Sequence, residues 1–133
     1  MAIQFDPQGQ VVYLHTKHTT YAIGVLREKY LLHLYYGKRI SAYPDFMAHL
    51  PIHAGTTWMG TDLPGLDYST EALPMEYPTY GSADLRTPAF HAEYESGSAV
   101  TCLSYCGYVS YPGKRPLNGL PATYVESESE ADT

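Results

Sequence analysis

In the first 38 residues, runs of β-branched and aromatic residues recur between turn residues, and each run is too short for a stable helix. Val11 to Leu14 follows the turn-forming stretch Asp6-Pro7-Gln8-Gly9. Thr19 to Leu26 alternates, with Tyr21, Ile23 and Val25 on one face. Tyr30 to Tyr36 is a dense apolar run closed by Gly37-Lys38, and its density predicts a strand buried on both faces. Leu31, Leu32, Leu34 and Tyr35 also fit a helical stripe, but the flanking turn residues and the aromatics favour the strand. Short strands punctuated by turns predict an all-β fold, an antiparallel β-sandwich.

From Ser41 to Pro78 the pattern changes. Pro44, Pro51, Pro64, Pro74 and Pro78 remove ladder donors, while Gly55, Gly60 and Gly65 add backbone freedom. Residues 41–78 therefore read as a long loop, with one helical turn near Phe46 to His49. Loops of this length inside a compact domain usually carry function. Strand signals return at Ala89 to Tyr94 and Ala99 to Ser110, joined by a turn at Glu95-Ser96-Gly97-Ser98, and again at Thr123 to Val125. No internal repeat interrupts this order.

The bulk properties exclude several classes of function. The 133 residues suit one domain, and 44% of them are hydrophobic, enough for a core. Only 17% are charged, and 14 tyrosines stand where charge is usual, which suits half-buried sheet faces and interfaces. A net charge of −6 gives no grip on a phosphate backbone, so nucleic acid is not an expected partner. No run approaches the roughly 20 apolar residues of a membrane span, so no membrane partner is expected. Met1 to Asp6 lacks the basic start and apolar core of a secretory signal, and a cytoplasmic location is expected. Cys102 and Cys106 sit four positions apart, about 13 Å along a strand and beyond disulfide reach. They read as two half-buried hydrophobes.

No phosphate loop, dinucleotide fingerprint or serine elbow is present, and no cofactor is expected. His49 and His53 would make a metal pair one helical turn apart, but Pro51 between them opposes the helix. His15 and His33 are expected on sheet surfaces. Glycoside hydrolysis needs two carboxylates, for which Asp62, Asp67, Glu71, Glu76 and Asp84 are candidates. For Glu76, Asp84 and Arg86 the better reading is structural: acids and an arginine on a Pro/Gly-rich connection pin it through charge-assisted hydrogen bonds. Trp58, the only tryptophan, either stacks a sugar from the loop or anchors the loop against the sheet or another subunit.

Two stretches carry a resemblance. Leu73-Pro74-Met75-Glu76-Tyr77-Pro78, then Tyr80-Gly81, Asp84-Leu85-Arg86 and Pro88-Ala89, is similar to a signature in the N-terminal domain of glycoside hydrolase family 36, which contains bacterial α-galactosidases. The family pattern has Gln where Met75 stands and Phe where Leu85 stands. The stretch from Gly113 through Pro116, Leu117, Gly119, Leu120, Pro121, Ala122, Thr123 and Tyr124 to Glu126 resembles a second family motif, with Arg115 inserted before the proline. Tyr30 to Lys38 is similar to the family's first buried strand. The loop from Ser41 to Asp67 departs from the family pattern.

The resemblance implies that residues 1–133 form the N-terminal β-sandwich segment of a larger, retaining α-galactosidase, part of a wider supersandwich. The catalytic aspartates would lie on a barrel outside this sequence, so no catalytic residue is assigned here and the chain alone is expected to be inactive. The implied substrates are terminal α-galactosyl residues of melibiose- or raffinose-type sugars, and the implied partner is a further copy of the parent enzyme. The segment would support assembly and border a neighbouring active site, with Trp58 and Asp62 as candidate sugar contacts and Glu76, Tyr77, Asp84 and Arg86 as structural motif residues. An alternative is a free-standing carbohydrate-binding β-sandwich. The acidic run from Glu126 to Asp132 reads as a tail or as a cut before the next strand, and the second motif favours the cut.

Overall fold

A strand survives where each side chain of one parity finds apolar cover and each backbone group finds a ladder partner. Four stretches near the N-terminus find ladder partners in the computed structural model, which describes residues 3–50, 72–80, 86–113 and 118–119. They are β1 (Ile3–Asp6), β2 (Val11–His15), β3 (Thr19–Leu26) and β4 (Tyr30–Lys38). Each pairs antiparallel with the next, giving one sheet in the order β1-β2-β3-β4. The all-β, antiparallel expectation holds, and this sheet is one layer of the expected sandwich. A 3-10 turn, Met47–His49, lies where a helical turn was expected. Among the described residues, no helix is long and apolar enough to cross a membrane.

The connections explain the register. Asp6 Oδ1 accepts the Gln8 amide at 3.0 Å, closing the β1–β2 turn. Thr16 Oγ1 accepts the Thr19 amide at 2.9 Å, closing the next. Between β3 and β4, Arg27 and Glu28 take left-handed conformations with φ of 54° and 56°. Such residues are usually Gly or Asn, so this turn is strained.

The pairing fixes two faces. Val11, Tyr13 and His15 lie opposite Gly24, Ala22 and Thr20. Val11, Tyr13 and Ala22 form one buried cluster, covered by Tyr35, Ile40, Phe46 and Met47. Leu32 and Leu73 form a second, and Leu34 packs against both. A β-bulge makes this possible: Ala22 pairs with Tyr35 and Ile23 with His33, leaving Leu34 as the extra residue.

Several expectations are corrected here. Strand β4 is not buried on both faces: Leu32 is fully buried, but the His33 side chain is 47% exposed and Tyr36 is 70% exposed. The cover comes from one side and from the edge. His15 is buried, not on a sheet surface, because its Nδ1 meets the buried Thr20 Oγ1 at 2.8 Å. Residues 89–94 and 99–110 are not strands. Their turn does form, with the Tyr94 amide donating to the Ser98 carbonyl at 2.9 Å and Gly97 at φ 78°. Beyond it the chain lacks a continuous partner: Thr101 donates to the Tyr80 carbonyl and Tyr105 to the Lys29 carbonyl, too far apart to make a ladder. Cys102 and Cys106 are free thiols and exposed, not half-buried. The expected strand at Thr123 to Val125 lies outside the described residues.

Candidate functional site

The motif segment 72–80 is held against the outer edge of β4. Leu32 and Met75 form an antiparallel bridge, in which the His33 amide donates to the Pro74 carbonyl at 2.7 Å and the Glu76 amide to the Leu31 carbonyl at 2.9 Å. Extended alternation then sends successive side chains to opposite faces. Leu73 and Met75 pack on the Leu32 side, while Glu76 reaches the other face. The segment therefore straddles the sheet edge.

On that second face, Tyr21 of β3 and His33 of β4 meet Glu76. The Tyr21 hydroxyl donates to Glu76 Oε1. His33 Nδ1 lies 3.6 Å from Glu76 Oε2 and 3.4 Å from the Tyr21 hydroxyl. The Tyr21 ring packs on His33 at 5.4 Å and edge-on against Tyr36 at 5.9 Å. Burial, the hydrogen bond to Glu76 and the charge of Glu76 together push the Tyr21 hydroxyl up to about 12. At neutral pH this hydroxyl is a donor, held against a carboxylate that is 27% exposed. The arrangement can clasp a connection to a sheet.

The other motif residues are placed as follows. Arg86 Nη1 donates to the Leu73 carbonyl at 2.8 Å, so the arginine ties down the start of the same segment. Tyr77 is exposed beside a cavity of about 330 Å³ that Lys29, Leu31, Met75 and Tyr105 also line. Trp58, Asp62 and Asp84 lie outside the described residues. The structure thus ties Glu76 and Arg86 into the packing of one segment, while the Tyr77 side chain of that same segment stays exposed. Tyr21 and His33 were missed as partners of Glu76. The register Ile23↔His33 brings His33 beside Tyr21, and only the bulge, invisible to strict alternation, produces it. Among the described residues, no group of three or more His, Cys, Asp or Glu side chains could hold a metal ion.

Comparison with known proteins agrees with this architecture. Residues 29–133 match the glycosyl hydrolase family 36 N-terminal domain. Alpha-galactosidase AgaA of Geobacillus stearothermophilus is 37% identical over 133 residues, which is 100% of this chain and 18% of that protein. The solved structure of alpha-galactosidase AgaB from the same organism superposes with a TM-score of 0.84 at 38% identity, covering 99% of this chain and 18% of that one. A variant of AgaA solved in complex with raffinose gives a TM-score of 0.79 at 38% identity, covering 90% of this chain and 17% of that one. The chain spans 17–18% of the length of these relatives. With its sheet, its clasped motif segment and this match, the chain belongs to the glycosyl hydrolase family 36 N-terminal domain family.

Proposed function

We propose that this chain is a non-catalytic part of an α-galactosidase that removes terminal α-galactosyl residues from raffinose- or melibiose-type sugars in the cytoplasm, with no metal or organic cofactor. Its work is to present a rigid β layer for assembly with the rest of the enzyme and with further copies of it. The observation that carries this reading is how the motif segment is used. Glu76 bonds to Tyr21, Arg86 bonds to the Leu73 carbonyl, and Leu73 fills a core position, so the two charged motif groups among the described residues bind this chain's own groups. A carboxylate tied in this way is a poor general acid or nucleophile, both of which must face a substrate. The relative solved with raffinose supports the substrate class. Trp58 and Asp62 are the sugar contacts we propose for the border with a neighbouring active site, and Asp84 joins Glu76, Tyr77 and Arg86 as a structural residue.

The test is hydrolysis of a chromogenic α-galactoside by the 133-residue chain alone. No turnover above buffer is expected. Turnover that survived purification and disappeared on Glu76→Gln would overturn the proposal.

A further inference from the structure

We propose that the groove between the β1–β2 turn and the Tyr43–Met47 segment binds a neutral pyranoside. The first observation is Tyr13. It is 2% exposed, yet among the described residues its hydroxyl has no hydrogen-bond partner. Buried tyrosine hydroxyls nearly always find one. The ring lines a cavity of about 480 Å³, within the roughly 300–1,000 Å³ usual for small-molecule sites. Asp6, Arg27, Tyr43 and Asp45 line the same cavity. Burial and the nearby Asp6, Tyr43 and Asp45 raise the Tyr13 hydroxyl, so it stays protonated and ready to donate.

The remaining groups complement a sugar. Tyr43 packs on Tyr13 with ring centroids 4.4 Å apart, and its hydroxyl donates to Gln4 Oε1, which fixes the orientation of the ring. An exposed, oriented tyrosine ring offers the flat apolar surface on which the C–H face of a pyranose rests. Asp6 and Asp45 each accept one turn amide through Oδ1, from Gln8 at 3.0 Å and Ala48 at 3.1 Å, and a carboxylate so engaged keeps further lone pairs with which to accept from sugar hydroxyls. Two carboxylates against the single Arg27 leave the groove net negative, which disfavours phosphate and carboxylate ligands. One buried donor, two carboxylates and an aromatic wall fit a molecule that is hydroxylated all round and apolar on one face.

The site stands apart from the hydrolase reading, since a chain that binds sugar without cleaving it satisfies both. The protein is titrated with galactose, methyl α-galactoside and raffinose by calorimetry, with the tyrosine ring signals followed by NMR. Saturable binding of at least one is expected. Tyr13→Phe, which removes only the unpaired hydroxyl, should weaken it roughly five- to tenfold, the worth of one hydrogen bond, while the thermal midpoint stays level or rises. Tyr43→Ala should abolish it. Absence of binding to all three sugars, unchanged affinity in Tyr13→Phe, or displacement of the sugar by inorganic phosphate would each overturn the proposal.

Discussion

Leu73 is the residue on which the docking of the motif segment depends, and Leu73→Ala is the sharpest test of that docking. Its side chain is fully buried against Leu32, with Leu26, Leu50 and Met75 around the pair. Burying a leucine is worth about 1.5–3 kcal/mol, and truncation to alanine in a core costs about 2–5 kcal/mol once the cavity is included. Position within that range depends on how far the walls can close. Leu73 sits on a connection held by two backbone bonds to β4 and the Arg86 contact, so its side of the gap can settle inward. A loss of about 2–3 kcal/mol is expected. Leu32 belongs to a strand paired with β3 on one side and bridged to Met75 on the other, so Leu32→Ala should cost more, about 3–4 kcal/mol. Urea titration followed by far-ultraviolet circular dichroism gives both values from midpoint shifts at constant slope. A Leu73→Ala loss below about 1 kcal/mol, or one larger than that of Leu32→Ala, would refute the docking argument.

Other outcomes follow from the same contacts. Because the folded protein holds the Tyr21 hydroxyl protonated up to about 12 against an ordinary 10.0, the stability it contributes is full below pH 10 and lost as pH rises toward 12; alkaline melting curves should show this loss, and Tyr21→Phe should remove it. Glu76→Gln removes one cause of the shift, so spectrophotometric titration should find the Tyr21 hydroxyl ionising at lower pH in that variant. His15 is held below its ordinary 6.5 by burial, with Arg39 and the N-terminus adding to the effect, so the stability tied to its neutral form is present above 6.5 and lost as pH falls; His15→Gln should flatten that acid limb in thermal melts. Glu28→Gly should raise stability by about 0.5–1 kcal/mol in the same urea titration, because glycine adopts the left-handed turn conformation without strain.

Strands β2 to β4 were legible because their cause is local. Alternation and turn residues placed Thr19–Leu26 at its observed limits and came within two residues at the ends of β2 and β4. β1 was not: Ile3–Asp6 is short, and two of its four residues are polar or charged. Its strand character comes from pairing with β2, a non-local cause. The opposite error occurred at 89–110, where Val100, Leu103, Tyr108 and Val109 have strand propensity but stay exposed. Propensity without a partner does not make a ladder. At the site, the motif around Glu76 was visible in the sequence, but its partners Tyr21 and His33 lie 55 and 43 positions away in register-dependent places. Tyr13 and Tyr43 read as two more tyrosines in a tyrosine-rich chain until the packing brought them together.

The bridge between Leu32 and Met75 also bears on association between molecules. An open strand edge is a template on which another chain can add its own strand. Along β4, the Leu31 carbonyl and the His33 amide are already taken by the motif segment. Pro74 and Pro78 lie in that segment, and neither has an amide hydrogen to offer a newcomer. The row of free donors that would recruit a further strand is thus interrupted as soon as it begins. The segment that packs Leu73 into the core thus also limits growth of the sheet, so this part of the β4 side is guarded against edge-to-edge aggregation by a covering segment bounded by prolines.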